Sequence, residues 1–191
     1  MKIGVLAMQG AFAEHIAILE GMNIKAMPVR LPEDLREVDG LIIPGGESTT
    51  ISRLMNSYHL MEAISTLANK RFPVFGTCAG MIMMSKNVIG NSTSVLGLMD
   101  IVVRRNAFGR QVDSFEMEIE VPSLGEPVFP AVFIRAPVIE SCGSGVDVLA
   151  RLADDTIVAA RQNNLLVTAF HPELTTDQRF HQLFVEMIAG V

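Results

Sequence analysis

Short, continuously apolar runs ended by glycine or proline constrain this chain more than any other feature. Lys2 to Met8 stops at Gln9-Gly10, Lys25 to Val29 is followed by Pro32-Glu33-Asp34-Leu35, and Gly40-Leu41-Ile42-Ile43 breaks at Pro44-Gly45-Gly46-Glu47-Ser48. A strand that does not alternate apolar with polar residues is covered on both faces, which is the situation of a strand inside a parallel sheet. Helical spacing separates the runs. Ala13, Ile16, Ala17 and Glu20 mark a helix with Ile16, Ala17 and Leu19 inward and Gly21 as its stop. Ile51, Leu54 and Met55 form an i, i+3, i+4 stripe behind a cap from Ser48 or Thr49. This rhythm predicts an α/β fold with a mostly parallel central sheet flanked by helices.

The pattern changes in the second half. After a helix from Leu60 to Asn69 and a buried strand into Phe75, Val88 to Ser94 reads as loop and Met99 to Val103 as strand. Phe115, Met117 and Ile119 alternate with Glu116, Glu118 and Glu120, the signature of a half-exposed antiparallel strand, so an antiparallel extension is expected. Ala131 to Ile134, Val148 to Leu152, Thr156 to Arg161 and Leu165 to Ala169 are further strands. The last three make a meander with turns at Ala153-Asp154-Asp155 and Gln162-Asn163-Asn164. Thr175-Thr176-Asp177 caps a final helix with Phe180, Leu183, Phe184 and Met187 inward. No linker, repeat or low-complexity segment divides the 191 residues, so a single domain over 1–191 is expected.

Charge and composition narrow the partners. The net charge is -6 and no basic cluster is longer than Arg104-Arg105, which argues against nucleic acid. No run approaches the roughly 18 to 20 apolar residues that span a bilayer. The start, Met1 to Met8, imitates a leader peptide, but its apolar core is short and Glu14 follows soon after, so it reads as a strand. Two cysteines, Cys78 and Cys142, make no disulfide framework, and a reducing cytoplasm is the expected compartment.

Three stretches carry chemistry. In Phe75-Gly76-Thr77-Cys78-Ala79-Gly80, glycines two before and two after a cysteine permit a sharp strand-to-helix bend that exposes the thiol and leaves the Ala79 amide unpaired. Pro44-Gly45-Gly46 lets backbone amides approach a ligand at the edge where open parallel sheets bind them. His171-Pro172-Glu173 places a carboxylate two residues from an imidazole, with the proline expected to keep the backbone extended; this suits a base and the group that holds its tautomer. Each has a bland alternative: a structural cysteine, a turn with a cap, a surface histidine beside a helix-starting acid. His15, His59 and His181 show no ligand-like clustering in sequence, so no metal is expected, and Cys142 reads as an incidental loop thiol.

Together, G-T-C-A-G around Cys78, the diglycine loop before it and H-P-E near the C-terminus resemble class I (triad) glutamine amidotransferases. Within that class, five blocks resemble the family of glutaminase subunits of pyridoxal 5′-phosphate synthase: Gly4 to Gly10, Pro44 to Thr50, Arg105-Asn106-Ala107-Phe108-Gly109-Arg110-Gln111, Phe133-Ile134-Arg135-Ala136-Pro137 and Phe170 to Leu174. The resemblance implies a flavodoxin-like sheet, Cys78 as nucleophile, His171 as base and Glu173 as its orienter, with the backbone amides of Gly46 and Ala79 as an oxyanion hole. It also implies that Gly46, Glu47, Ser48, Arg105, Ile134 and Arg135 surround L-glutamine, with Glu47 suited to its α-ammonium and Arg105 or Arg135 to its α-carboxylate. It implies no cofactor, and as partner a synthase subunit built as a (β/α)8 barrel that receives the ammonia. Two other readings are a glutaminase serving a different synthase and a non-catalytic binding module on the same fold.

Overall fold

The structure is a computed structural model that describes residues 1–90, 93–107 and 114–190. The Phe108 to Gln111 part of the third block lies outside the described residues, as do residues 91–92 of the expected loop. Four parallel strands form the centre: β1 (Lys2–Leu6), β2 (Lys25–Val29), β3 (Gly40–Ile43) and β4 (Val74–Thr77), in the order β2-β1-β3-β4. Every residue of β3 and β4 is buried, as unbroken apolar runs require. The chain moves to one side of β1 to make β2 and to the other to make β3 and β4. That reversal of strand order is where open α/β sheets leave a crevice at the carboxyl ends of their strands.

Helices α1 (Phe12–Gly21), α2 (Ser48–Ser57) and α3 (Leu60–Ala68) connect these strands, and α4 (Ala79–Met84) leads out of β4. Next come β5 (Ser85–Ile89), β6 (Met99–Arg104), β7 (Ser114–Ile119) and β8 (Phe129–Ile134). The chain ends with β9 (Val138–Cys142), β10 (Asp147–Arg151), β11 (Ile157–Gln162), β12 (Leu165–Thr168) and α5 (Arg179–Ala189). β12 lies parallel to β4, and the sheet then continues antiparallel through β11, β9 and β6, with β5 parallel at the edge. The expected meander is present as β10, β11 and β12.

The expected antiparallel strand is also present as β7, with Phe115 and Met117 half-buried and Glu116 and Glu118 exposed, but it pairs with β8 in a separate two-stranded sheet. Other local readings need correction. The segment read as loop from Val88 begins inside β5, whose mostly exposed residues give no apolar signal. Cys142 closes β9 and is no loop thiol. In α1 the inward residues are His15 and Leu19, while Ala17 is exposed, and α5 buries His181 where Leu183 was expected. α2 is capped by Glu47, whose carboxylate accepts from the amides of Thr49 at 3.0 Å and Thr50 at 2.7 Å, because a longer acid one residue earlier reaches the same orphan donors. Asp177 sits two residues before α5 and accepts from the Arg179 amide at 3.0 Å, although the N-cap position itself is Gln178.

β4 faces both helical layers. Phe75 packs edge-on against His15 and His181 and lies 5.6 Å from Phe184, so α1 and α5 cover that face. Gly76 and Gly80 press against each other on the opposite face, and a Cβ at Gly80 would come 1.9 Å from the Ile43 carbonyl oxygen. Gly80→Ala is therefore expected to destabilise the fold by about 3 kcal/mol or more, the upper range of overpacking costs. Gly21→Ala, where the nearest atom is 3.7 Å away, is expected to be neutral or to stabilise by up to about 1 kcal/mol. Urea midpoints of the two variants check the contrast; equal midpoints would refute the packing argument.

Candidate active site

Parallel pairing brings the carboxyl ends of β1, β3, β4 and β12 to one edge, with Ile43 opposite Gly76 and Thr77 opposite Thr168. At the end of β4 the chain bends at Cys78, which has φ 49° and ψ -104° and whose amide donates to the Thr168 carbonyl at 2.8 Å. A cysteine in this region of backbone space is strained, and the anchored amide together with the Gly76–Gly80 contact holds it there. The amide of Ala79 opens α4, where no helical carbonyl precedes it.

The diglycine loop after β3 reaches the same point. A Cβ on Gly45 would lie 2.3 Å from the His171 ring and 3.3 Å from the Cys78 Cβ. The Gly45 carbonyl accepts from Ala11 at 3.3 Å, and Gln9 Oε1 accepts from the Glu47 amide at 2.7 Å, which ties the loop after β1 to the loop after β3. Gly10, at φ 96°, is required here, since a Cβ would sit 1.7 Å from the Gly45 carbonyl oxygen.

From the end of β12, His171 is fixed by its amide, which donates to the Val132 carbonyl at 2.8 Å. Its Nδ1 lies 2.6 Å from Glu173 Oε1. The backbone between them is a 3₁₀ turn (Pro172–Leu174) rather than the expected extended segment, because the fixed φ of proline suits a first helical position equally well. Burial disfavours charge on His171, yet its interactions with Cys78 and Glu173 outweigh this and push its pKa up to about 10. The ring thus favours its protonated form, with the carboxylate at Nδ1, while the Cys78 thiol lies 3.8 Å from the Ile134 carbonyl oxygen.

These groups border a cleft of about 290 Å³ in which nine of the ten sequence-assigned residues meet; Glu173 stands behind His171. Ser48 is 2% exposed and its hydroxyl has no hydrogen-bond partner among the described residues. Glu47 has its pKa lowered to about 2: partial burial opposes this, and the hydrogen bonds from Thr50 and Thr49 dominate. Arg105 reaches it at 3.5 Å, so that carboxylate is already engaged by the helix cap and one guanidinium. Arg135 is exposed and, like Asn106 on the same wall, holds positive φ. Gln9 and Asn106 line the cleft without having been assigned there.

Behind Glu173 the structure assembles what sequence spacing gave no reason to group. His15 Nε2 is 3.3 Å from Glu173 Oε2 and 3.2 Å from Thr77 Oγ1, and His15 Nδ1 is 2.9 Å from His181 Nε2. Both histidines are fully buried. Burial drives the His15 pKa well below its ordinary value, helped by His181 and His171, and lowers that of His181 to about 4. Among the described residues, no three acidic, histidine or cysteine side chains are grouped so as to hold a metal ion.

An α/β sheet carrying a cysteine elbow, a diglycine loop and a carboxylate-held histidine on one edge is the arrangement of a glutamine amidotransferase. The profile of the SNO glutamine amidotransferase family matches residues 5–190, and the chain belongs to that family. It is 57% identical over 189 residues to the pyridoxal 5′-phosphate synthase subunit PdxT of Dehalococcoides mccartyi (strain CBDB1), covering 98% of this chain and 97% of the relative. It is 56% identical to the protein of the same description from Herpetosiphon aurantiacus, with 97% and 99% covered. A crystal structure of a glutamine amidotransferase superposes with a TM-score of 0.93 at 46% identity, covering 99% of each chain. The structure of PurLQS from Thermotoga maritima shares the fold alone, at TM-score 0.69 and 15% identity over 97% of each chain.

The buried histidines set a pH dependence. In the folded chain His181 takes a proton only below about 4, while the unfolded chain takes it at the ordinary 6.5. Between those values the unfolded state binds more protons, so acidification favours unfolding by up to roughly 1.4 kcal/mol per pH unit for this group. His171 acts oppositely: its contribution is complete below 6.5 and is lost as pH rises through about 10. In His181→Leu the stability deficit relative to the wild type is expected to shrink as pH falls from 6.5 towards 4, measured by urea unfolding; a deficit constant with pH would contradict the assignment.

Proposed function

We propose that this chain is the glutaminase subunit of pyridoxal 5′-phosphate synthase, a single catalytic domain over 1–191 that hydrolyses L-glutamine and passes ammonia to its synthase partner. The observation that carries the reading is the His171 ring, held by the buried Glu173 at 2.6 Å in the cleft it shares with Cys78, beside a glycine loop that only a bare backbone can form.

The steps follow from these groups. His171 holds the proton that the Cys78 thiol gives up, and the sulfur attacks the carboxamide carbon of glutamine. The oxygen that gains charge is received by the backbone amides of Ala79 and Gly46. His171 returns its proton to the nitrogen, the C–N bond breaks, ammonia leaves, and a γ-glutamyl thioester remains. Water then gives a proton to His171 and adds to the thioester, and glutamate departs as the sulfur is restored. Glu173 holds the ring in one tautomer and orientation throughout.

Recognition of a zwitterion needs both signs of charge. Glu47, on one side of the cleft with Ser48 beside it, faces the α-ammonium; Arg105 and Arg135 supply cations for the α-carboxylate, and Ile134 packs along the chain. Because Glu47 also caps α2, ordering of that helix end and of the substrate site are one event. The partner is proposed to be a (β/α)8 synthase, and the compartment the cytoplasm; among the described residues no helix is long and apolar enough to cross a membrane.

Glutamate release from L-glutamine, measured for the chain alone and in the presence of the pyridoxal 5′-phosphate-forming synthase, tests the reading. Release that appears or rises on addition of the synthase is expected. Cys78→Ala should fold normally and release none, and Glu173→Gln should lower turnover on the order of 10⁴-fold, the scale of losing the acid of a comparable triad. Unchanged hydrolysis by Cys78→Ala would end the assignment of the nucleophile.

A further inference from the structure

Glu173 has two carboxylate oxygens, and the glutaminase mechanism uses one of them. Oε1 meets His171 at 2.6 Å, whereas Oε2 is fully enclosed and has no ordinary hydrogen-bond partner among the described residues unless His15 supplies it. His15 Nε2 stands 3.3 Å from Oε2, and the side chains of both residues have no solvent exposure. On its other side, His15 Nδ1 meets His181 Nε2 at 2.9 Å, and His181 Nδ1 is again buried without a partner among the described residues.

Only two arrangements of neutral tautomers keep the His15–His181 hydrogen bond. If His15 carries its proton on Nδ1, it donates to His181, whose own proton is then an orphan N–H on the buried Nδ1. The Nε2 lone pair of His15 could then accept from the Thr77 hydroxyl, but it would lie 3.3 Å from the charged Oε2 of Glu173. If both rings carry the proton on Nε2, His181 donates to His15, and His15 directs its N–H to Thr77 Oγ1 3.2 Å away, with Oε2 of Glu173 3.3 Å from the same nitrogen. The sole cost is then one uncharged lone pair on His181 Nδ1. Orphaned N–H groups are rarer and an unpaired buried charge is more costly than an unfilled neutral acceptor, so the second arrangement is favoured.

We propose that His15 is a positioning residue for glutamine hydrolysis: its Nε2–H, set by a hydrogen bond from His181 to Nδ1, holds Oε2 of Glu173 so that Oε1 meets the His171 ring. The inference rests on the glutaminase reading of Cys78, His171 and Glu173 and adds the two residues behind them. The neutral state of both rings, enforced by burial, fits the arrangement, since a charged His15 would compete with His171 for the carboxylate. Support of this kind behind a ligand-holding or catalytic group commonly contributes 10- to 100-fold.

The test uses the full chain. ¹⁵N NMR of histidine-labelled wild type should show His15 and His181 as Nε2–H tautomers, with a far-downfield Nδ1 proton on His171. His15→Leu should lower kcat for glutamine hydrolysis roughly 10- to 100-fold with KM little changed, because the glutamine cleft is untouched, and should shift the His171 Nδ1 proton upfield. His15→Gln, whose amide restores a donor near the Nε2 position, should recover most of the turnover and of that resonance. A structural role alone would move stability but neither the resonance nor the difference between Gln and Leu. An Nδ1–H tautomer at His15, or a folded His15→Leu with wild-type kcat, would overturn the proposal. Should His15→Leu fail to fold, the wild-type tautomers and the Gln variant decide. Absence of hydrolysis in the wild type with its synthase would sink the glutaminase reading instead, while the tautomers and the His171 resonance would still decide the hydrogen-bond chain.

Discussion

A carboxylate with no exposed side-chain surface, Glu173, is the constraint on which the active edge depends. Removing such a charge from water costs several kcal/mol, and the cost is offset only when a partner charge and further donors meet it in good geometry. His171 supplies the charge at 2.6 Å. Its ring can be there only because its amide is pinned to Val132 on β8, because Pro172 starts a 3₁₀ turn that brings Glu173 round, and because Gly45 leaves room for the ring. The carboxylate thus fixes the relation of β8, the end of β12 and the loop after β3.

The same edge concentrates backbone that ordinary residues avoid. Cys78, Asn106 and Arg135 all hold positive φ, and all three border the cleft. Such residues persist where surrounding structure over-determines them. At Cys78 the determinants are visible: an amide bonded to Thr168, and glycines on either side that let α4 lie directly on β4 and against the Ile43 carbonyl. The strain at Cys78 is therefore held by the packing of the central parallel strands.

How far all this could be read beforehand depended on the range of the interactions. The central strands and the cysteine elbow are written locally, in unbroken apolar runs and in glycine spacing, and they appear where expected. β5 was missed because an edge strand with exposed residues carries no burial pattern, and β7 was read correctly as half-exposed although its pairing with β8 alone is set by contacts far along the chain. His15 and His181 are 166 residues apart, and each lies in a helix whose other positions read as ordinary amphipathic surface. Their signal was a polar residue at an inward helical position, where Ile16 or Leu183 seemed the natural occupant. A histidine is buried more readily when its ring nitrogens find partners, as both do in His15, and those partners are invisible until the helices are docked.

Docked, the buried groups form a line with one direction: His181, His15, Glu173, His171, Cys78. Its far end is held neutral by burial, with the His181 pKa lowered to about 4, while the near end holds a proton up to about 10. Over that span the favoured site for a proton is the His171 imidazole, which shares the cleft with Cys78. A line of hydrogen bonds with matched affinities along its length would let the proton migrate away from the cleft. Here the rings at the far end disfavour a proton, and in the proposed reaction the proton from the thiol rests on His171, where the departing nitrogen must collect it. Burying α1 and α5 against Phe75 establishes that gradient, which makes the packing of the two helices part of the chemistry.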